Sequence, residues 1–382
     1  MRSKLRVLTD KQFSGVLSFE EGTYIYNYVS KNPKNFVSLT MPLRAKSWNS
    51  KNLHPIFEMH LPEGYLLSII KKHFSKVRKT DDFGLLELLS ENIKGRITYT
   101  DKQEIPTQVL HLDDLIERKD EKLFDELVSR FALHSPISGV QPKVLADLQN
   151  KATLQLEHYI VKSWGEDYPH LALNEYYCMS VLKEAAILVP EFHLSKDKKL
   201  FILKRFDIKA DGNYLGFEDM CVLQAKQTTQ KYEGSYEGVA KSIKLFVSSK
   251  HRKEALMQFF KMVVLNVLLQ NGDAHLKNFG LIYEGIEDIN LSPAYDVVTT
   301  TLYIRNDVPA LTLHGRKKWS DKKTLLEFGI NFCNLTPKEV KFLYQTCEEA
   351  KVTIMIEMQK ALSKEKDKSA INTIKQMLQL WQ

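Results

Sequence analysis

The decapeptide Gln270-Asn271-Gly272-Asp273-Ala274-His275-Leu276-Lys277-Asn278-Phe279 concentrates side chains suited to one kind of chemistry. One kind of phosphoryl-transfer loop has a carboxylate that accepts a hydroxyl proton followed, five residues on, by an asparagine that holds Mg²⁺. Asp273 and Asn278 have that spacing. Lys277, between them, can neutralise charge on the transferred group, and His275 can order the loop or touch phosphates. A second carboxylate must follow, because Mg²⁺ is a hard cation that bridges carboxylate and phosphate oxygens. Leu291-Ser292-Pro293-Ala294-Tyr295-Asp296 supplies Asp296. Both stretches also have plainer readings: a helix-capping loop with Asp273 as cap and Lys277 in solvent, and an N-cap at Asp296 ahead of Val297 and Val298.

Two upstream stretches carry charge that would suit phosphates. Lys162 ends the apolar run His158-Tyr159-Ile160-Val161, where a lysine on the buried side needs an anionic partner. Glu175, on a helix about a dozen residues later, is a candidate to pair with it, although a strand-end lysine often snorkels to the surface. Ser138-Gly139-Val140-Gln141-Pro142-Lys143 turns into a strand; its glycine lets backbone amides approach phosphate oxygens and Lys143 adds charge. It is not a Walker A loop, and by itself it is a weak signal that reads more readily as a structural turn.

The elements that must position these residues follow from periodicity. Val16–Phe19, Thr23–Tyr28 with aromatic residues at alternate positions, and Phe36–Met41 predict a small antiparallel sheet. Pro62-Glu63-Gly64-Tyr65 leads into a helical pattern, and a second apolar set follows from Phe83 to Leu89. After a polar stretch at 101–106, Asp113–Leu133 reads as one or two helices. Strands are then expected at Lys143–Ala146, Thr153–Leu156, His158–Lys162 and Leu200–Leu203, with a helix at Asn174–Ala186 that stops before Pro190. Beyond about residue 225 the pattern is almost wholly helical, notably Ala255–Gln270, Lys338–Leu362 and Ala370–Gln382, apart from a strand at Gly280–Tyr283. The charged run Ser363–Lys368 reads as a solvated turn. The expectation is three segments: residues 1–105, an α+β unit; 106–225, strand-rich; and 226–382, helical.

Composition sets the outer limits. The 382 residues are 43% apolar and 26% charged, which excludes a disordered, collagenous or coiled-coil chain. Lysine and arginine number 54 against 47 acidic residues, a net charge of +7. That excess is thinly spread, and solvated faces account for clusters such as Lys71-Lys72, Lys76–Lys79 and Arg316-Lys317-Lys318 better than direct DNA binding does. Cys178, Cys221, Cys333 and Cys347 form no C-x-x-C or metal-ligand spacing and read as reduced packing residues. The N-terminal decapeptide reaches Asp10 before any apolar core of a leader can form, and the most apolar stretch, Met262–Leu269, is too short to span a bilayer. A cytoplasmic location with no membrane contact is expected.

Taken in chain order, the motifs resemble the HipA family of bacterial serine/threonine kinase toxins. The residues that carry the resemblance are S-G-V-Q-P-K at 138–143, H-Y-I-V-K at 158–162, N-E-Y-Y-C-M at 174–179, K-R-F-D at 204–207, E-D-M-C at 218–221, K-Y-E at 231–233, N-G-D-A-H-L-K-N-F at 271–279 and S-P-A-Y-D at 292–296. M-P-L at 41–43 and L-P-E-G at 61–64 look like the family's N-terminal subdomain, so the likeness covers nearly the whole chain. It implies an α+β, two-lobed, protein-kinase-like fold: a strand-rich N-lobe with an extra N-terminal subdomain, and an all-helical C-lobe. It also implies ATP and Mg²⁺ as cofactors. Asp273 would be the catalytic base, Lys162 would hold ATP phosphates, and the backbone of Lys204, Arg205 and Phe206 would receive adenine. His275, Leu276, Lys277 and Asn278 would contact nucleotide and metal. Tyr295 and Asp296 would complete the site, with Asn278 and Asp296 on the metal. Ser138, Gly139, Val140, Gln141, Pro142 and Lys143 would form the phosphate-binding loop. Family members are similar in phosphorylating aminoacyl-tRNA synthetases and in being restrained by a helix-turn-helix antitoxin of the HipB kind, through which DNA is reached indirectly.

Relatives autophosphorylate a serine in the phosphate-binding loop, which swings the loop out and switches the enzyme off. The family commonly reads S-x-S-G there, whereas this chain has Pro136-Ile137-Ser138-Gly139. That leaves Ser138 as the expected modified residue, with Ser135 one position early. Two other readings use the same residues: a small-molecule or lipid kinase with the same loop logic, and a catalytically silent corepressor bound to its antitoxin.

Overall fold

The computed structural model describes residues 4–63, 81–99, 110–111, 116–117, 143–149, 156–163 and 167–382. The chain divides into two compact units, the first made of Met1–Ser163, Ser195–Thr228 and Tyr283–Ile286, the second of Trp164–Leu194, Thr229–Ile282 and Glu287–Gln382.

The first unit opens with an antiparallel sheet in the order Trp48–Ser50, Thr23–Tyr28, Gln12–Glu20, Lys4–Thr9, Ile97–Thr98. Its hairpins are two-residue turns with both central residues at positive φ, Asp10-Lys11 at 49° and 63°, and Glu21-Gly22 at 49° and 74°. Such turns match the twist of the strands they join. The second sheet begins with Leu110–His111, parallel to Lys143–Gln149, then Leu156–Lys162 and Phe201–Lys204, each antiparallel to its neighbour. One apolar cluster serves both sheets, joining Val7, Leu17, Tyr26, Phe57 and Leu86 to Tyr159, Val161 and Ile202. Among the described residues, the expected strand Thr23–Tyr28 is found as expected and the others of these sheets are longer or shifted by a residue, with one exception.

That exception is Phe36–Met41, which is not a strand. A 3-10 turn at Pro33–Asn35 precedes it, and only a bridge between Ser38 and Met41 remains extended. The cause is a buried carboxylate. Glu218 accepts from Ser38 Oγ at 2.7 Å and from the Leu39 N–H at 2.8 Å, so the segment curls around it instead of joining a ladder. Tyr283 OH adds a third bond at 2.6 Å. A Cβ on Gly216 would lie 2.1 Å from the Tyr283 ring, so only glycine lets that ring approach.

The second unit is helical: Leu171–Glu184, Tyr236–Phe246, Ser249–Leu268, Lys322–Cys333, Pro337–Leu362 and Lys368–Leu380. The long helix Pro337–Leu362 packs on Leu171–Glu184 and Ser249–Leu268, burying Val340, Tyr344, Cys347, Ile354 and Met358. Side-chain caps set the boundaries: Ser235, Asp321, Thr336 and Asp367 each accept from a first-turn N–H. Ser249–Leu268 starts earlier than its apolar pattern, because Ser249–Glu254 is polar yet helical and lies on the solvent side. Leu171–Glu184 likewise begins three residues before the expected start, just after His170 at φ 58°. The strands Gly280–Tyr283 and Ile289–Leu291 are neighbours in a sheet, the second of them unforeseen. All four cysteines are buried and none is in a disulfide, as their spacing suggested. Among the described residues, no helix is long and apolar enough to cross a membrane. The expected helices in 65–70 and 113–133 lie outside the described residues, apart from Ile116-Glu117, and so does most of the expected strand Thr153–Leu156.

Candidate active site

The helix Ser249–Leu268 sinks Phe259, Phe260, Val263, Val264 and Leu265 into the core and delivers the chain to a sharp turn. Gln270 makes the turn at φ 55°. Its side chain is held at both ends, accepting from Thr301 Oγ1 at 2.7 Å and donating to the Leu380 carbonyl at 2.7 Å. Asn271 is buried; its amide donates to Asn266 Oδ1 at 2.9 Å while its own Oδ1 accepts from the Asp273 N–H at 3.2 Å. The Gly272 N–H donates to Thr300 Oγ1 at 2.7 Å, and a Cβ there would stand 2.0 Å from Asp307 Oδ2. Glycine is therefore required for the loop to lie against Thr300 and Asp307. Thr300 Oγ1 in turn donates to Asp307.

The rest of the loop is a single 3-10 turn, Leu276–Asn278. Asn278 Oδ1 accepts from the His275 N–H at 3.0 Å, and the Asn278 amide donates to Asp296 Oδ2 at 3.0 Å. Tyr295 OH donates to the Lys277 carbonyl at 2.8 Å, tying the neighbouring segment to the same loop. Asp296 adopts φ 62°, a left-handed backbone that side chains other than glycine rarely take and that aspartate tolerates better than most. Neither plain reading of the sequence describes these residues. Asp273 caps no helix, Lys277 is half-buried, and the residues after Asp296 are not helical until Thr300.

Electrostatics single out Asp273. Protein crowds most of its carboxyl while one edge stays open to solvent, and this burial, followed by the charge of Asp296, pushes it up to about 6. The Tyr232 hydroxyl and Lys231 oppose the rise, and Asp307 adds to it. Asp273, Asp296 and Asp307 thus load one loop with negative charge. That loading, with the hard oxygens of Asp296 and Asn278, fits Mg²⁺, which takes one or two protein ligands and fills its remaining positions with water and phosphate. Asn278 Oδ1 keeps a second lone pair beyond its bond to His275. Among the described residues no three His, Cys, Asp or Glu side chains converge as an all-protein metal cage.

The second unit therefore brings together Asp273, His275, Leu276, Lys277, Asn278, Tyr295 and Asp296. In the first unit, Lys162 is 2% exposed at the end of its strand, opposite Phe201 on one side and Lys143 on the other. Lys204 ends the strand Phe201–Lys204. The Arg205 N–H donates to the His158 carbonyl at 2.9 Å, and its guanidinium is engaged by Asp207 at 2.6 Å and 2.9 Å. Phe206 packs edge-on against Phe217. Glu175 is fully buried on the helix Leu171–Glu184 of the second unit. Ser138, Gly139, Val140, Gln141 and Pro142, together with Ser135 and Pro136, lie outside the described residues. Sequence reasoning assigned no role to Tyr232, Thr300 or Asp307. The only signal for Tyr232 was its place in K-Y-E, and Asp307 sits in an Arg-Asn-Asp turn that announces nothing.

The family model for the HipA-like C-terminal domain matches residues 135–371, and that for the HipA N-terminal domain matches residues 5–100. The chain is 27% identical over 288 residues to a Sinorhizobium fredii protein named "Putative kinase Y4dM", a match covering 69% of this chain and 66% of that protein. It is 31% identical over 189 residues to a Haemophilus influenzae protein named "Putative kinase", covering 44% of this chain and 53% of that one. In both cases the chain spans less than two thirds of the relative's length. Among solved structures it resembles HipA of Shewanella oneidensis MR-1, determined with HipB and operator DNA, at TM-score 0.71 and 18% identity over 99% of this chain and 95% of that one. The fold is that of HipA, strand-rich in its N-terminal part and helical in its C-terminal part.

Proposed function

The chain belongs to the HipA family, and from that premise we propose that it is an ATP- and Mg²⁺-dependent serine/threonine protein kinase, the toxin of a bacterial toxin–antitoxin pair. The observation that carries the reading is the Asp273–Asn278–Asp296 constellation. A carboxylate with a solvent-open edge stands on the same turn as an amide already hydrogen-bonded to a second carboxylate at 3.0 Å. In this reading Asp273 accepts the proton of a substrate hydroxyl as its oxygen attacks the γ-phosphorus, and ADP departs. Asn278 and Asp296 would hold Mg²⁺, which supplies charge neutralisation on the phosphates. Lys277 and His275 would face the nucleotide, with Leu276 and Tyr295 holding the loop in shape. Lys162 would bind ATP phosphates, the backbone of Lys204–Phe206 would receive adenine, and Ser138–Lys143 would be the phosphate-binding loop.

Three finer points belong to the same proposal. The substrate is an aminoacyl-tRNA synthetase, whose modification would halt translation. The restraining partner is a HipB-like helix-turn-helix antitoxin, a reading supported by the likeness to a HipA solved together with HipB and operator DNA. Ser138 is the self-modified serine. The test is labelled phosphate transfer from γ-labelled ATP into a bacterial lysate, with identification of the labelled band by mass spectrometry. Transfer by the unaltered chain and its loss in Asp273→Asn support the reading; an equal rate in that variant removes Asp273 as base.

A further inference from the structure

Residues 231–234 are fastened by their backbone to the catalytic loop and to Thr312 and Lys317. The Leu276 N–H donates to the Lys231 carbonyl at 3.0 Å, Lys317 Nζ to the Tyr232 carbonyl at 2.9 Å, and the Thr312 N–H to the Gly234 carbonyl at 3.0 Å. The Tyr232 ring stands edge-on to His275 with centroids 5.2 Å apart, and Lys231 Nζ lies 5.4 Å from the ring centroid. From this fixed platform the Tyr232 hydroxyl donates to Asp273 Oδ1 at 2.9 Å. Among the described residues nothing else donates to that carboxylate, so Oδ2 remains as an acceptor.

Resting on the kinase reading above, we infer that Tyr232 is a positioning residue for phosphoryl transfer: its hydroxyl fixes the Asp273 carboxylate so that Oδ2 is presented to the substrate hydroxyl. A carboxylate turns almost freely about its last torsion. A donor on one oxygen removes that freedom, and holding a base in a reactive orientation is worth orders of magnitude in rate. Backbone bonds and ring packing already satisfy the structural needs of residues 231–234; the hydroxyl adds the bond to Asp273. In the transfer step Oδ2 takes the proton of the attacking hydroxyl, the new bond forms between that oxygen and the γ-phosphorus, and the bond from phosphorus to the ADP oxygen breaks. Tyr232 keeps its own proton throughout.

The test is Tyr232→Phe, which retains the ring and every backbone bond and loses only the hydroxyl. Transfer from γ-labelled ATP is followed into lysate protein and into the chain itself, with kcat and the KM for Mg·ATP determined separately. Loss of a hydrogen bond to a charged group predicts a fall in kcat of about 10- to 100-fold. The KM for Mg·ATP and the melting temperature stay at their original values. In an Asp273→Asn background the same substitution costs nothing further, because the group it positions is gone. A kcat within about twofold of the unaltered chain overturns the inference, as does a loss matched by a lower melting temperature or a raised KM. Absence of any ATP-dependent transfer by the unaltered chain brings down the kinase reading, and this inference with it.

Discussion

Two carboxylates with raised pKa values, Glu218 in the first unit and Asp273 in the second, differ in how far protein encloses them and in how their oxygens are used. Burial pushes the Glu218 carboxyl up, but Tyr283, Leu39 and Ser38 all donate to it, and it has no exposure at all. Among the described residues Asp273 receives one donor; it keeps a solvent-open edge, stands near Asp296 and rises to about 6. A buried carboxylate whose lone pairs are filled is a brace. One left with an open oxygen, at a cost to the fold, has the form expected of a group that takes protons.

The largest effect that would break this contrast is on rate. Asp273→Asn is expected to lower phosphoryl transfer by about 10²–10⁴-fold, the usual cost of losing a placed acid or base. Its melting temperature at neutral pH should not fall. A variant that loses stability together with rate would make Asp273 a brace like Glu218.

The opposite signature is expected at Glu218. Glu218→Ala leaves Ser38, Leu39 and Tyr283 without their acceptor and should cost about 3–5 kcal/mol in denaturant unfolding. Tyr283→Phe removes one donor of three and should cost about 1–3 kcal/mol. If Glu218→Ala unfolds within about 0.5 kcal/mol of the unaltered chain, the network is not holding residues 36–41 in place.

The difference also marks what the sequence made legible. Asp273 and Asn278 were readable because one kind of phosphoryl-transfer loop sets its proton acceptor and its metal-holding asparagine five residues apart, Asp296 because that chemistry needs a second carboxylate downstream, and the strand Thr23–Tyr28 because its alternation is local. Phe36–Met41 has an equally strand-like pattern, but its conformation is set by Glu218, far away in the chain, which no window of sequence contains. Tyr232 escaped for the same reason: its partner Asp273 lies 41 positions away. Asp296 showed its residue type but not its left-handed backbone, which occurs where Asn278 donates to its carboxylate and Tyr295 is bonded to the loop.

Lys162 extends the comparison to a buried cation. At 2% exposure it sits in the regime where an ammonium calls for anionic company. If phosphates are part of that company, Mg·ATP should raise the melting temperature, with about 2.7 kcal/mol of stabilisation at a ligand concentration 100 times Kd. Lys162→Ala should abolish most of that rise at the same ATP concentration. An undiminished shift would remove Lys162 from the phosphate site and leave it a structural charge, the counterpart of Glu218.

The smallest effect is a pH dependence with two opposed signs at one residue. Asp273 is raised from the ordinary aspartate value of 3.8 to about 6, so the folded chain holds a proton there that the unfolded chain has already released. Its contribution to stability is therefore full below about pH 3.8 and lost as the pH climbs through about 6. Activity runs the other way, since only the ionised carboxylate can accept a proton: kcat/KM should fall as the pH drops below about 6. Asp273→Asn separates the two. Melting curves of the variant and the unaltered chain should coincide near pH 4, with the variant the more stable at pH 8, where it lacks the charge that burial and Asp296 disfavour. Equal melting temperatures at both pH values would mean that Asp273 ionises as freely as a surface carboxylate, and its distinction from Glu218 would then rest on hydrogen bonding alone.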